Sequence, residues 1–517
     1  MIGSGERAES QASDERHRYL AHTEVAIGPR ERLVVGGILR PDTTADLEPD
    51  VQVDALLPHD AGLVLERAEP DLVIVESRAV AAGNPWAGAG EPGIADVALR
   101  LLGVLDGARA LGRPSVLWWS GPRHATPGLI PFESRFDLVV ASDPGPGVAA
   151  SAWTPGLQLA RFDPIGGDPD RSVRPVAHVR WDEAPSRSAR SFMEGALAGL
   201  ATEEPELWID ADAVVGATWL PDRLRSAGLR RVAHEALAEL YRARGLFLAD
   251  PLTVSPGMRP IATGTLRQLA SGARVVSGPN ESLAESLGEW IEWAPDARQV
   301  RDAVRSGAGL GPRTTADIRR LLGALFLRHD TTGAVGALAR MLGIRRATPR
   351  RDCCAVARFD AHTRPEAFLD AVVLQRHRPT EAIIAADDPA DAAIALWELE
   401  RLGIPVRSVP PPGAERGVAR WAASHTSAAW LWVWSPGFEN DPAYLIDALT
   451  AGLMTGASAI GCVPGASDGF CDGSQLKGPV VSRAAAARLP DMGSVWTRSW
   501  KDRGATFYGI ATDPDGR

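Results

Sequence analysis

The sequence is poor in lysine. Only Lys477 and Lys501 stand among its 55 basic residues, so nearly every positive charge belongs to an arginine. Alanine, glycine and proline are abundant beside arginine, a bias that is typical of a GC-rich genome. A single arginine in this chain is therefore weaker evidence for a phosphate site than it is in most proteins.

Cysteine is scarce as well. The four cysteines, Cys353, Cys354, Cys462 and Cys471, do not make a disulfide framework in a chain of 517 residues. Cys353 and Cys354 are adjacent, which is not a metal-ligand spacing, and they begin an apolar segment, so we expect a structural role for them. This cysteine usage fits a reducing compartment, and the predicted location is cytoplasmic.

Two further absences exclude whole classes of protein. No run of about 18 apolar residues occurs, so no membrane-spanning helix is predicted. The net charge is −10, which argues against nucleic acid as the main partner, because neutralising phosphates requires a basic face. The N-terminal stretch is polar and lacks the apolar core of a signal peptide, so residues 1–29 are predicted to be a disordered leader.

Short apolar strands alternate with helical patterns through the rest of the chain, which is typical of a parallel α/β architecture. With 517 residues the chain is too long for one ordinary core. We predict two tandem Rossmann-like domains, at 30–150 and 151–345, and a further α/β domain at 350–517. The predicted strands are 32–38, 71–77, 114–120 and 136–143 in the first domain, 176–181, 206–211, 245–250 and 273–279 in the second, and 352–359, 381–387, 405–409 and 430–433 in the third. The predicted helices include 94–112, 262–272, 315–329, 364–377 and 390–403.

Four segments of the first two domains occur in an order known from one protein family. These are ERAEPDLVIVESRAVAAGNPWAG (66–88), GRPSVLWWSGPRH (112–124), FDLVVASD (136–143) and the long segment 239–285, whose LASG-x-x-VVS motif is the most specific part. Residues 30–345 thus resemble the spore-maturation-type glycosyltransferase family. The resemblance implies a GT-B fold of two Rossmann-like domains and transfer of a sugar from a nucleotide-activated donor to a hydroxyl acceptor.

The third domain resembles a different group of enzymes. Residues 355–392 give a strand, a helix that begins at Arg-Pro, and a strand that ends at Asp387, and WLWVWSPGFENDPAYLIDALTAGLMTGASAIGC (430–462) follows. This arrangement is similar to a GT-A (family-2-like) glycosyltransferase domain, which implies that Asp387 contacts a nucleoside.

In the GT-A resemblance, paired aspartates that hold a metal belong where this chain has Trp434 and Pro436. Neither side chain can bind a hard cation, which prefers carboxylate or carbonyl oxygens. Glu439 and Asp441 could replace them only if the turn were remodelled. The sequence therefore predicts a GT-A-like domain without its metal site, and no cofactor is expected.

In open parallel sheets, ligands bind outside the carboxyl ends of the strands. In the first domain, Glu76 lies at the end of one strand and His124 lies in the loop after another. We predict that these two residues act as acid/base groups that activate an acceptor hydroxyl. The alternatives are a helix cap or salt bridge for Glu76 and a solvated loop histidine for His124.

In the second domain, the turn before helix 262–272 should present backbone N–H groups and the positive end of the helix dipole to a diphosphate. Related GT-B enzymes carry acidic residues that hold the donor ribose where this chain has Arg259 and Arg267. An arginine cannot accept a hydrogen bond from a hydroxyl, so either these arginines bind phosphate or nucleotide binding has been lost. The predicted donor-binding residues are Arg180, Ser255, Gly257, Arg259, Thr263, Arg267, Asn280 and Glu281.

The sequence as a whole predicts a metal-independent GT-B glycosyltransferase that acts on a cell-envelope glycan or a natural product. The alternative is a non-catalytic, degenerate transferase that binds a glycan or supports an active partner transferase. The predicted partners are a nucleotide-sugar donor and a hydroxyl acceptor, with a partner protein or a homo-oligomer as further candidates. A third interpretation keeps chemistry in the last domain, where Asp387, Trp434 and Glu439 are the ligand candidates.

Overall fold

The computed structural model describes residues 32–81, 83–91, 95–121, 123–142, 150–167, 171–179, 187–200, 203–210, 229–249, 262–344, 351–360, 365–411, 418–435, 441–464, 468–471, 476–488 and 505–512. They divide into two compact units: unit 1 lies within residues 1–155 and 335–348, and unit 2 within residues 156–334 and 349–517. Among the described helices, none combines the length and the apolar character that crossing a membrane requires.

Unit 1 is built on a six-stranded parallel sheet, called sheet 1. Its strand order is β2-β1-β3-β4-β5-β6. The first five strands in this order, 2-1-3-4-5, follow the strand order of flavodoxin-like folds, and β6 is added at the edge. The strands are β1 (Val34–Ile38), β2 (Gln52–Ala55), β3 (Leu72–Glu76), β4 (Ser115–Trp119), β5 (Leu138–Ala141) and β6 (Ser151–Ala152).

Sheet 1 is covered on both faces, which explains why its central strands are apolar throughout. Successive side chains of β3 point to opposite faces, so Leu72 and Ile74 join one buried cluster while Val73 and Val75 join the other. The helices of unit 1 are Pro41–Leu47, Ala61–Ala68 and Ala95–Ala110, and the helix Thr331–Met341 adds Val335 and Leu338 to the first of these clusters.

Unit 2 contains two sheets. The first of them, sheet 2, is parallel and has the order β12-β11-β10-β7-β8-β9. Counted from β7, this order is 3-2-1-4-5-6, which is the strand order of dinucleotide-binding Rossmann folds. The strands are β7 (Val176–Val179), β8 (Glu206–Asp210), β9 (Leu229–Val232), β10 (Leu246–Leu248), β11 (Arg274–Ser277) and β12 (Ile291–Trp293).

The other sheet of unit 2, sheet 3, is mixed and has the order β15-β14-β13-β16-β19-β17-β20-β18. Strands β13 to β16 pair in parallel, whereas β19 runs antiparallel between β16 and β17. The strands are β13 (Cys353–Phe359), β14 (Glu381–Ala386), β15 (Val406–Ser408), β16 (Trp430–Val433), β17 (Ala459–Pro464), β18 (Gly469–Cys471), β19 (Lys477–Ser482) and β20 (Phe507–Thr512).

The helices of unit 2 begin and end where local chemistry predicts. Thr314 caps the helix Thr315–His329 by accepting the N–H of Asp317 at 3.1 Å, and Gly272 ends the helix Thr263–Ala270 in a left-handed conformation, with φ of 83°. The other described helices of unit 2 are Arg187–Gly199, Leu237–Arg242, Glu281–Leu287, Val300–Gly309, Pro365–Leu374, Pro389–Arg401, Val418–Ala423, Tyr444–Thr455 and Arg483–Arg488.

One hydrophobic core is continuous between sheets 2 and 3. It takes Trp208 and Phe247 from sheet 2, Trp432 from sheet 3, and side chains of the helices Thr315–His329 and Tyr444–Thr455 between them. The two helices pack closely, since a Cβ placed on Gly323 would come within 2.9 Å of the Ile446 Cγ2 atom. The third α/β segment is therefore part of the same compact unit as the second.

The strands and helices that the sequence predicts are confirmed where the structure describes them. The helix predicted at 315–329 is observed with the same bounds, and the strand predicted at 71–77 is observed as Leu72–Glu76. Cys353 and Cys354 begin β13 and are fully buried, as their structural role requires. Burial raises the pKa of both thiols, that of Cys353 to about 12, so neither is a reactive thiolate.

Candidate functional site

Each sheet has a topological switch point between two adjacent strands. The chain segments that follow these two strands run in opposite directions across the sheet. A crevice forms there at the carboxyl ends of the two strands. The switch points lie between β1 and β3 in sheet 1, between β7 and β10 in sheet 2, and between β13 and β16 in sheet 3. The predicted site residues can be placed against these three edges.

Glu76 is the last residue of β3 and stands at the switch point of sheet 1. Its side chain is buried, and its Oε2 atom accepts the backbone N–H of Arg40, which follows β1, at 3.0 Å. The Arg40 guanidinium in turn donates to Asp42 at 3.0 Å. The strand ends of β1 and β3 thus place two carboxylates and one arginine in a buried cluster.

The environment of Glu76 favours its protonated form. Burial is the main cause that raises the pKa of this carboxyl group, and the negative charge of Asp42 adds to it, while the Arg40 N–H and charge and the Thr43 hydroxyl act in the opposite direction. A carboxyl group with a raised pKa at a strand end is a candidate for proton transfer.

His124 occupies a different kind of position. It lies in the 3₁₀ turn Arg123–Ala125 after β4, and its side chain is exposed. The hydrogen bonds of Glu76 go to residues 40 and 43 rather than to this histidine. The structure therefore does not bring the two acid/base candidates together in unit 1, and their roles remain predictions.

At the carboxyl edge of sheet 2, three buried polar side chains form a chain of hydrogen bonds. The His178 Nδ1 atom on β7 lies 2.6 Å from the Tyr241 hydroxyl, and its Nε2 atom lies 2.9 Å from the Asp210 Oδ1 atom at the end of β8. The three side chains are buried among Trp208 and Phe247, which exclude water from the network.

This network fixes the orientation of Asp210. A carboxylate oxygen only accepts hydrogen bonds, so the Nε2 atom of His178 donates to Asp210. His178 and Tyr241 are not among the site residues predicted from the sequence. The signal that could have found His178 is a titratable residue in the middle of an apolar strand.

The described donor-binding candidates lie at two helices that follow strands of sheet 2. Thr263 begins the helix Thr263–Ala270, while Arg267 on the same helix is buried, with its guanidinium 4.8 Å from the centre of the Phe162 ring. Asn280 caps the helix Glu281–Leu287 by accepting the Leu283 N–H at 2.8 Å, and Glu281 is exposed.

Arg180, Ser255, Gly257, Arg259 and Glu439 lie outside the described residues. The sequence assigns the segment between β10 and the helix Thr263–Ala270 to the diphosphate.

In sheet 3, Trp434 and Asp387 lie at the carboxyl edge in contrasting environments. Trp434 follows β16, is buried and packs edge-to-face against Phe368, with ring centres 5.5 Å apart. Its indole N–H has no hydrogen-bond partner among the described residues. Asp387 follows β14, is exposed, and pairs with Arg358 at 3.9 Å.

Metal-ligating side chains do not cluster in the described part of the chain. No group of three or more His, Cys, Asp or Glu residues there could hold a metal ion.

No protein-family model matches the chain, and no curated protein matches it. Among solved structures, AviGT4, a glycosyltransferase involved in avilamycin A biosynthesis, is 15% identical and aligns over 61% of this chain and 96% of its own, with a TM-score of 0.33. A glycosyltransferase from Rickettsia africae ESF-5 is 10% identical over 60% of this chain and 98% of its own, with a TM-score of 0.35. Os79 from O. sativa, solved in complex with UDP, is 13% identical over 63% of this chain and 95% of its own, with a TM-score of 0.30. At these identities and TM-scores, the likenesses carry no conclusion about this chain.

Proposed function

We propose that the chain is a glycosyltransferase that moves a sugar from a nucleotide-activated donor to a hydroxyl acceptor, with a GT-B arrangement and without a metal ion. The observation that carries the proposal is the 3-2-1-4-5-6 strand order of sheet 2. Sheets with this order bind nucleotides in the crevice at their switch point, which here lies between β7 and β10.

The element that follows β10 supports a diphosphate at this crevice. The helix Thr263–Ala270 comes after β10, and its first N–H groups have no partner within the helix. Together with the helix dipole they attract negative charge, so a donor diphosphate can be held there without a cation. Thr263 supplies a hydroxyl at this end of the helix.

Asp210 is suited to hold the hydroxyl groups of the donor. It ends β8 beside the switch point, and His178 fixes its orientation. Arg267 cannot accept a hydrogen bond from a hydroxyl, whereas a carboxylate can. We therefore assign to Asp210 the role that related enzymes give to an acidic residue on the helix.

Glu76 is the proposed base of the transfer. The acceptor hydroxyl gives its proton to the Glu76 carboxylate while its oxygen bonds to the anomeric carbon of the donor. The bond between that carbon and the diphosphate oxygen breaks, and the nucleoside diphosphate leaves with the electron pair. The step requires Glu76 as a carboxylate, and the Arg40 N–H stabilises this form against the burial and the Asp42 charge that raise its pKa.

The experiment that tests the proposal is thermal denaturation against UDP, GDP, dTDP, CDP and ADP and their common sugar conjugates, each with and without manganese. A ligand at about a hundred times its dissociation constant stabilises the native state by roughly 2.7 kcal/mol. We expect one nucleotide to raise the melting temperature without manganese. A rise with manganese alone would contradict the metal-independent mechanism, and no rise with any nucleotide would contradict the function.

Two variants then separate binding from chemistry. Glu76→Gln should keep the nucleotide-dependent rise in melting temperature and lower the transfer rate by about 10²- to 10⁴-fold, the usual contribution of a general base. Glu48→Gln is the matched control, because Glu48 is exposed at the end of the helix Pro41–Leu47 in the same unit. Wild-type turnover in Glu76→Gln would remove Glu76 from the mechanism.

A further inference from the structure

Unit 2 contains a pocket that no described residue of the switch-point strands β7, β10, β13 and β16 lines. The pocket has a volume of about 280 Å³ and lies between the helices Thr315–His329 and Tyr444–Thr455. The loop at Pro164–Gly166, the edge strand β18 of sheet 3 and its neighbour β20 complete the walls of the pocket. Pockets for small molecules have volumes from roughly 300 Å³ upwards, so this one suits a compact ligand.

The charges in the pocket exclude two classes of ligand. The Arg319 guanidinium lies 4.0 Å from the Asp447 carboxylate and 3.6 Å from the Asp468 carboxylate, and all three side chains are largely buried. Because the Arg319 guanidinium already faces two acidic side chains, it offers little attraction to a phosphate or another anion. The guanidinium between them disfavours a bare metal ion, so the fitting ligand is neutral and rich in hydrogen-bonding groups.

Thr450 is an independent sign that the pocket takes a polar ligand. It lies one turn after Asp447 on the same helix face, lines the pocket, and is only 2% exposed. Its Oγ1 atom has no hydrogen-bond partner among the described residues. A buried hydroxyl without a partner destabilises a fold, and a hydroxyl group of a ligand would satisfy it.

The remaining wall is apolar and aromatic. Phe470 on β18 is 60% exposed, although it lines the pocket, and it packs edge-to-face on Tyr508 with ring centres 5.5 Å apart. Met454 and Ile510 line the same region. A ligand here meets hydrogen-bonding groups on one side and an aromatic face on the other.

We propose that this pocket is a saccharide-binding site that takes one or two neutral sugar residues. A sugar ring has hydroxyl groups around its edge for Thr450, Asp447 and Asp468, and a C–H face for Phe470. The proposal goes beyond the transferase function and does not depend on it, because none of the residues that line the pocket is assigned to the donor or to the proton transfer. It gives unit 2 a means to hold a glycan while chemistry occurs elsewhere.

Saturation-transfer NMR on the full chain tests the proposal, with glucose, galactose, mannose, N-acetylglucosamine, maltose and cellobiose as probes. We expect at least one of them to bind, and UDP not to compete with it. Phe470→Ala should weaken this binding by about tenfold or more, and Thr450→Val, which keeps the side-chain shape, by about three- to tenfold.

The matched control is Trp397→Ala, because Trp397 is an equally exposed aromatic residue, 63% exposed, on the helix Pro389–Arg401. It should bind the saccharide as the wild type does. No saccharide signal in the wild type, unchanged affinity in both Phe470→Ala and Thr450→Val, or competition by UDP would each overturn the proposal. Since the nucleotide panel is a separate measurement, failure here leaves the proposed transferase function untouched.

Discussion

The Asp447 carboxyl group should make unit 2 less stable as the pH rises. Asp447 lies in the first turn of the helix Tyr444–Thr455, and its side chain is 15% exposed. Burial raises its pKa to about 7, and the charges of Asp441 and Asp468 contribute, while Arg319 and Arg376 act in the opposite direction. Replacing Asp447 with asparagine keeps the shape of the side chain and removes the ionisation.

The sign and size of the effect follow from the two protonation equilibria. In the unfolded chain the group loses its proton near pH 3.8, whereas in the native chain it does so near pH 7. The native state therefore binds the extra proton between these values, and the stability that this supplies is lost as the pH rises through 7. The full loss is about 4 kcal/mol, of which about 3 kcal/mol falls between pH 5 and pH 8.

Urea denaturation of the wild type and of Asp447→Asn at pH 5 and pH 8 measures this loss. The free energy of unfolding of the variant minus that of the wild type should be about 3 kcal/mol larger at pH 8 than at pH 5, because only the wild type loses stability over this range. Asp163, Asp352 and His329 also have shifted pKa values, but both proteins contain them, so their contributions cancel. Asp370→Asn, at an exposed position, is the control. Equal differences at both pH values for Asp447→Asn would refute the reasoning.

Three further substitutions test other contacts by urea denaturation. Asp330→Ala should lower the free energy of unfolding by about 3–5 kcal/mol, because the Arg351 guanidinium then loses the buried carboxylate that it binds at both oxygens. A loss below about 1 kcal/mol would contradict this. Trp434→Ala should lower the free energy of unfolding by about 3–5 kcal/mol and keep the nucleotide-dependent rise in melting temperature. Unchanged stability with loss of that rise would show instead that the ring contacts the ligand. Asn280→Ala should cost about 1 kcal/mol while Asn280→Asp costs little, and equal costs would rule out the capping role.

Elements with strong local signals could be predicted from the sequence. The helix Thr315–His329 has apolar residues at a spacing of three and four and a threonine cap in front of it. The strands at the centre of each sheet are short apolar runs between turn residues. In these segments local preference and tertiary burial agree.

Other elements depend on contacts that are distant in the sequence. The strand Gln52–Ala55 is half exposed at a sheet edge, so it has neither an apolar run nor a clear alternation. Strand β19 lies antiparallel between β16 and β17 because it pairs with both of them. A local sequence pattern does not show which strands will pair. The core shared by sheets 2 and 3 is equally non-local.

The candidate site was predictable only in part. Glu76 follows from the rule on strand ends, and the structure adds the cause of its raised pKa. His178 was missed because its role depends on Tyr241, which is 63 residues away. Arg267 was considered for phosphate on the basis of its position in the chain, and only the fold shows its guanidinium over the Phe162 ring.

The central claim is that the carboxyl edge of sheet 2 binds the nucleotide of the donor. Hydrogen–deuterium exchange with and without the nucleotide that stabilises the chain most would test it directly. We expect the backbone amides at the start of the helix Thr263–Ala270 and at the ends of β7 and β8 to exchange more slowly when the nucleotide is bound. Amide exchange around β13 and β16 of sheet 3 should not change. Protection confined to sheet 3, with sheet 2 unchanged, would contradict the account.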